Sequence, residues 1–231
     1  MALLHVDWPQ AWRIIPSRYP PIHLFERLTA DTAVWDALLA LEQMANPRLR
    51  QEAGEISLVP PDQRVSGPGA SYVMASFTHL NTRGSRFSDG TYGIYYAASE
   101  LDTAIAETMF HFEAFARAAR DPARREDMRV LVGTINCEFD DVAALPADLK
   151  TKILDPNSYA VAQAYAKERR AAGSNGVSYP SVRRPGGLCI GAFTPKAVGI
   201  PHQEPHLQYA WNGTSVDRYF DYAEGKWKER P

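Results

Sequence analysis

Residues 128–137 constrain the fold more than any other stretch of this sequence. Val130 and Val132 alternate with Leu131 and Ile135, so apolar side chains point to both sides of the segment. A half-buried strand would show polar residues on one side, whereas a central strand is covered on both faces. The pattern therefore predicts a central strand, with layers of structure packed on either side of the sheet around it.

Three stretches show helical spacing of apolar residues. The clearest spans residues 100–119, and its apolar stripe comprises Leu101, Ala104, Ile105, Thr108, Met109, Phe112, Phe115 and Ala116. Residues 31–46 follow the same period and stop at Pro47, and residues 157–172 end at Gly173. We predict a helix over each stretch.

Shorter runs predict strands at residues 22–28, 71–78, 92–98, 177–179 and 188–193, with a proline- and glycine-rich loop over residues 54–70. Strands and helices mix without regular alternation, which favours an α+β fold over a doubly wound sheet. We predict one domain over residues 1–231. Its core spans residues 22–195, a proline- and aromatic-rich extension (residues 1–21) wraps around it, and an aromatic tail (residues 196–231) packs back on it.

Composition narrows the class of protein. Hydrophobic residues make up 45% and charged residues 23%, which is ordinary for a globular protein, and a net charge of −2 does not predict direct nucleic-acid binding. No basic, apolar leader and no run of about 18 apolar residues is present, so we expect neither secretion nor a membrane span. Cys137 and Cys189 lie in apolar segments, as expected for buried thiols in the cytoplasm.

Residues 83–90 form a glycine-rich turn that carries Arg83 and Arg86. A guanidinium can bind a phosphate through two parallel hydrogen bonds, and glycine lets the backbone approach a ligand closely. Taken alone, the turn is a weak signal, because an arginine on a surface turn is more often simply solvated.

Tyr95 and Tyr96 are adjacent in a predicted strand, so only one of them can face a given pocket. On the helix that follows, Glu107 lies off the apolar stripe beside Ala104 and His111. The small neighbours leave room for a ligand, although an exposed helical glutamate would show the same pattern.

Ser181 stands between Pro180 and the pair Arg183–Arg184, directly after a predicted strand. A hydroxyl at this place suits a loop that closes over a polar ligand. Ordinary turn chemistry would also account for it.

The glycine-rich turn, the tyrosine pair with the helix that follows it, and the loop around Ser181 resemble the RES family in their order and spacing. The family is named for its Arg, Glu and Ser positions. The resemblance covers residues 22–195 and rests on Arg27, Arg86, Tyr96 in Tyr-x-Ala, Glu107 in Ala-x-x-Glu, and Ser181 in Tyr-Pro-Ser-x-Arg. It implies an ADP-ribosyltransferase-like fold, with a mixed or antiparallel sheet flanked by helices. It also implies a toxin that depletes NAD and is neutralised by a helix-turn-helix antitoxin. The proline-rich N-terminus and an insert at residues 42–69 depart from the compact family pattern.

The resemblance also implies roles for these residues. Glu107, Arg86 and Tyr96 would be catalytic. Glu107 would stabilise positive charge on the ribose or hold its 2′-hydroxyl, and Tyr96 would hold the nicotinamide ring. Arg27 and Arg86 would bind the pyrophosphate, and Ser181 would bind the ribose or a phosphate. NAD is then a substrate, and neither a cofactor nor a metal is expected.

Several alternatives remain beside this interpretation. The sequence His202-x-Glu204-x-His206 could hold a metal, but Pro201 and Pro205 prevent the helix that normally presents such a pair. Cys189 could be a nucleophile, but it lacks a nearby residue in the sequence that would activate it. The glycines of residues 186–191 do not have the spacing of a dinucleotide-binding fingerprint. His111 could orient Glu107 or be a core histidine. The whole chain could instead be a non-catalytic nucleotide- or partner-binding module. The acceptor of the ADP-ribose (water, phosphate or protein) and the oligomeric state stay open.

Overall fold

The computed structural model describes residues 2–19, 29, 31–45 and 54–231. Within these residues eight strands form one sheet: β1 (Leu3–Pro16), β2 (Tyr95–Ala98), β3 (Arg124–Asp141), β4 (Gly176–Pro180), β5 (Leu188–Ala192), β6 (His202–Trp211), β7 (Val216–Asp221) and β8 (Lys226–Glu229). The predicted strand at residues 22–28, and with it Arg27, lies outside the described residues.

Five α-helices accompany the sheet in the described ranges: α1 (Trp35–Ala45), α2 (Ala70–Thr78), α3 (Leu101–Ala119), α4 (Ala147–Ile153) and α5 (Ala160–Ala171). Short 3-10 turns occur at Thr32–Val34, Ile56–Leu58, Pro61–Gln63 and Pro195–Ala197. The three predicted helices are confirmed within a few residues at each end. None of these helices combines the length and the apolar character that crossing a membrane requires.

The strands follow the order β1-β2-β5-β4-β3-β6-β7-β8, and β1 also pairs with β3. The first five strands in that order therefore close on themselves, while β6, β7 and β8 extend the sheet beyond β3. β3 and β4 pair in parallel and the other neighbours are antiparallel. This mixed sheet with flanking helices confirms the predicted α+β class.

β3 is buried on both faces, as its sequence predicts. Val130 and Val132 join the apolar cluster that includes Ile105 and Met109 of α3. Ile135 and Phe139 join a second cluster on the opposite side, which contains Trp35 of α1 and Met74 of α2. The sheet is thus packed between α3 on one side and α1 and α2 on the other.

The predicted strand at residues 71–78 is wrong, because this segment is helix α2. Its buried apolar side chains include Val73, Met74 and Phe77, whose spacing of one, three and four residues places them on one helical face. A short apolar run has nearly the same composition in a strand and in a buried helix, so the period alone could not separate the two.

The N-terminal residues form a strand inside the sheet rather than a wrapping segment. β1 pairs with β3 from Leu3 opposite Asp140 to Pro16 opposite Met128. Pro9 falls where the register shifts between Trp8 and Ala11, a bulge that needs no backbone donor from proline. The proline-rich composition of residues 1–21 therefore led to the prediction of a wrapping segment where the structure has a long strand.

The aromatic tail packs against the body of the protein through α3. The buried side chain of Glu113 accepts hydrogen bonds at Oε1 from the backbone N–H of Val216 (2.7 Å) and from Nη1 of Arg230 (2.8 Å). The C-terminal strands thereby brace the helix that also carries Glu107.

Candidate active site

A cavity of about 210 Å³ opens between α3, β1, β2 and the turn that precedes β2. Arg86, Tyr96 and Glu107 all line it, although the turn, the strand and the helix that carry them are separate elements. Three of the residues singled out in the sequence are therefore brought into one place.

Glu107 is half-buried on α3 and is held by the loop that follows β4. The hydroxyl of Ser181 lies 2.7 Å from Oε1 of Glu107 and donates to it. The same hydroxyl oxygen accepts the backbone N–H groups of Arg183 and Arg184, each at 3.1 Å. Because its lone pairs are taken by two backbone donors, the hydroxyl proton is directed to the carboxylate.

The loop over residues 181–187 is itself fastened to the start of α3. Nη1 of Arg184 donates to Oε2 of Glu100 (2.6 Å) and to Oγ1 of Thr103 (3.2 Å). A Cβ at Gly187 would come within 2.5 Å of that same Oγ1, so only glycine fits there. Ser181 does not line the cavity, and its contacts make it a partner of Glu107.

The prediction that Tyr95 and Tyr96 face opposite sides is confirmed. Tyr95 is 1% exposed and belongs to the cluster on the α1 and α2 side, whereas Tyr96 lines the cavity. The phenol oxygen of Tyr96 accepts the backbone N–H of Phe87 (3.1 Å) and shares a hydrogen bond with Oγ of Ser85 (2.8 Å). Burial raises the pKa of Tyr96, so the phenol stays neutral and anchors the turn that carries Arg86.

Arg86 is buried, and only one of its three guanidinium nitrogens forms hydrogen bonds with the described residues. Nη1 donates to the backbone carbonyls of Ile153 (3.0 Å) and Asp155 (2.8 Å), and Cζ lies 4.7 Å from the centre of the Tyr159 ring. Nε and Nη2 have no hydrogen-bond partner among the residues that the structure describes. These two nitrogens can therefore donate to a ligand in the cavity.

Strand β1 contributes Arg13 to the cavity wall, a residue that was not among those predicted from the sequence. Nη1 of Arg13 donates to the backbone carbonyl of Tyr96 (3.0 Å), and Cζ lies 4.5 Å from the centre of the Tyr95 ring. Its buried Nε has no hydrogen-bond partner in the described part of the chain. Burial lowers the pKa of Arg13, and the two tyrosines partly oppose this. An arginine between the apolar residues Trp12 and Ile14 was the signal that could have revealed it.

Cys189 and His111 also line the cavity. Burial and the nearby Glu107 carboxylate raise the pKa of the Cys189 thiol, which disfavours the thiolate that a nucleophile needs. His111 lies one turn beyond Glu107 and is exposed to solvent, so the core-histidine interpretation is wrong.

His202, Glu204 and His206 lie on strand β6, and Nε2 of His202 is 3.0 Å from Oε1 of Glu204. Across the described residues, no three or more His, Cys, Asp or Glu side chains are grouped so that they could hold a metal ion.

Comparison with known proteins places the chain in a family. The sequence pattern that defines the RES domain matches residues 62–212, which is more than half of the 231-residue chain. The chain therefore belongs to the RES domain family, as the order of its motifs predicted.

Two similar proteins extend this comparison. The uncharacterized protein y4oC of Sinorhizobium fredii is 29% identical over 220 residues, which cover 95% of this chain and 90% of that protein. Among solved structures, the chain is similar to one in the M. tuberculosis MbcT–MbcA toxin–antitoxin complex. There the identity is 10% and the TM-score is 0.47, with 90% of this chain and 87% of that chain covered.

Proposed function

We propose that this protein binds NAD and cleaves its nicotinamide–ribose bond on an ADP-ribosyltransferase-like fold. The observation that carries the proposal is the hydrogen bond from Ser181 to Glu107, at the edge of the cavity that also contains Tyr96 and Arg86. A carboxylate held in one orientation beside an aromatic ring and an arginine suits a substrate that carries a sugar, a cationic ring and a pyrophosphate.

Glu107 would act on the ribose. Breaking the bond between nicotinamide and ribose builds positive charge on the sugar, as in the oxocarbenium-like transition state of glycoside hydrolysis. The fixed Glu107 carboxylate would stabilise that charge electrostatically, with no reorganisation during the reaction. In this role Ser181 positions Glu107 rather than contacting the substrate.

Tyr96 would hold the nicotinamide. The ring is positively charged in NAD and becomes neutral as it leaves, and the face of a neutral aromatic side chain attracts a cation by about 0.5–2 kcal/mol. Because the Tyr96 phenol is tied to Ser85 and Phe87, the orientation of its ring is set before the substrate arrives.

Arg86 and Arg27 would bind the pyrophosphate, as the resemblance to the family implies. Nε and Nη2 of Arg86 have no hydrogen-bond partner in the described part of the chain, so they remain as donors for a phosphate oxygen. Arg13 would instead support the wall of the cavity, because its guanidinium stacks on the buried Tyr95 ring and bonds the carbonyl of Tyr96. The cavity is smaller than the about 300–1,000 Å³ typical of sites that enclose a whole ligand, so the adenosine end would extend outside it.

The family supplies the biological setting of the proposal. Depletion of NAD in the cytoplasm would make the protein toxic to the cell that produces it. A helix-turn-helix antitoxin would neutralise it. Hydrolysis, phosphorolysis and ADP-ribosyl transfer share the same first step, and each is compatible with the arrangement of Glu107.

The test is to incubate the purified protein with NAD and a chelator, with and without phosphate, and to identify the products by mass. Release of nicotinamide in the presence of the chelator is expected, because Glu107 and the two arginines supply the charges that the reaction needs. A strict requirement for a divalent ion would contradict the metal-free mechanism. If NAD binds without any turnover, the chain is a nucleotide-binding module instead.

A further inference from the structure

His111 follows Glu107 by one helical turn, and both side chains line the same cavity. Residues four apart on a helix are neighbours, with about 5–6 Å between their Cβ atoms. A small molecule at the cavity mouth can therefore contact the carboxylate and the imidazole at the same time.

The imidazole of His111 is accessible, and its ring nitrogens are not engaged by the described residues. The side chain is exposed to solvent, and its ring meets the edge of the Phe110 ring at a centroid distance of 5.5 Å. Neither ring nitrogen has a hydrogen-bond partner among the described residues. A histidine that served the packing of the fold would have its nitrogens engaged.

Three charged groups act on His111. Glu107 lies on the same helix, Arg183 on the loop after β4, and Arg86 on the turn before β2. Protein atoms at the cavity mouth displace part of the hydration of the ring, although the residue as a whole stays open to solvent. This partial desolvation and the two guanidinium charges lower the pKa of His111, and the Glu107 carboxylate opposes them. The ring is consequently neutral near pH 7, with one nitrogen able to accept a proton.

We propose that His111 is the general base that deprotonates the water attacking the ribose, so that hydrolysis is a reaction of this site. This inference rests on the proposed cleavage of NAD. The O–H bond of the water breaks and its proton moves to a ring nitrogen of His111. The water oxygen forms a bond to the anomeric carbon of the ribose. The bond from that carbon to nicotinamide breaks, and its electron pair neutralises the departing ring. The products are nicotinamide, ADP-ribose and a proton, which His111 returns to solvent.

The experiment compares two acceptors, water and azide, in wild type and His111→Ala. Azide is already an anion and needs no proton removed, so the loss of a base should not affect it. In His111→Ala we expect kcat for hydrolysis to fall on the order of 10²-fold, at the lower end of the usual range for general-base catalysis, with little change in KM. Formation of the azide adduct should continue at the wild-type rate. His206→Ala, on β6 and outside the cavity, is the matched control and should hydrolyse NAD normally.

A pH profile supplies a second readout. Wild-type kcat should decline as the pH falls through a pKa below the ordinary histidine value of about 6.5, and this limb should vanish in His111→Ala. Equal hydrolysis by the variant, or parallel loss of both reactions, would overturn the role of His111. Cleavage that needs phosphate and never uses water would overturn it too, while leaving the proposed function intact. Absence of nicotinamide release with any acceptor would overturn both proposals.

Discussion

Ser181 and Glu107, from a loop and from a helix, meet through one hydrogen bond of 2.7 Å. Two backbone N–H groups of the serine's own loop orient its hydroxyl, and the hydroxyl orients the carboxylate. The geometry of the candidate catalytic group therefore depends on a loop that contacts it from outside the cavity.

The first prediction concerns the charge of Glu107. Glu107→Gln keeps the shape and one hydrogen-bonding oxygen but removes the charge that, in the proposed mechanism, stabilises the developing cation. We expect kcat to fall on the order of 10²–10³, about 2.7–4 kcal/mol, with little change in NAD affinity. Turnover assays and calorimetry on the two proteins measure this. If depletion of NAD makes the wild-type protein arrest bacterial growth, expression of the variant should not. Unchanged turnover in a folded variant would remove Glu107 from the mechanism and favour the binding-module alternative.

The second prediction separates positioning from substrate binding at Ser181. Ser181→Ala removes a hydrogen bond to a charged group, which is worth about 1.5–3 kcal/mol, so kcat should fall by about 10- to 150-fold while KM changes little. Ser181→Thr keeps a hydroxyl and should recover much of the loss. A rise in KM with constant kcat would show instead that Ser181 contacts the substrate.

The third prediction contrasts the two tyrosines. Tyr95 is fully buried away from the cavity, so Tyr95→Ala should lower the free energy of unfolding by about 3–5 kcal/mol. Tyr96→Phe keeps the ring but frees the Phe87 N–H and Ser85, which loosens the turn carrying Arg86. KM for NAD should then rise, with a smaller change in thermal stability. Chemical denaturation and initial rates measure both effects, and the opposite pattern would mean that the roles of the two faces are reversed.

The fourth prediction tests Arg86. Arg86→Lys keeps the positive charge but loses the guanidinium donors, of which Nε and Nη2 are unpartnered among the described residues. If Arg86 binds the pyrophosphate, KM for NAD should rise by about 10-fold or more, because a charge-assisted hydrogen bond contributes about 1.5–3 kcal/mol.

The matched control for Arg86, which stacks on Tyr159, is Arg218→Lys. Arg218 is an exposed arginine on β7 that stacks on Trp227, at 5.0 Å from the ring centre, and does not line the cavity. KM should be unaffected in this variant. An equal KM in Arg86→Lys and wild type would limit the role of Arg86 to its bonds with the carbonyls of Ile153 and Asp155.

The amino-acid sequence alone determined the features that depend on local periodicity. β3 was predictable because its apolar residues alternate over both faces, and α3 because its apolar stripe repeats every three to four residues. The opposite orientation of Tyr95 and Tyr96 followed from the geometry of any strand. The order and spacing of five residues were sufficient to indicate the family: Arg27, Arg86, Tyr96, Glu107 and Ser181.

Tertiary structure decided the rest, because those features depend on contacts between distant segments. Pairing with β3 makes β1 a strand and brings Arg13 to the cavity, and burial beneath the sheet makes α2 a helix. The bond between Ser181 and Glu107 exists only because the loop after β4 folds onto α3. Local sequence cannot specify such contacts, since their free energy comes from surfaces that meet only when the whole sheet has formed.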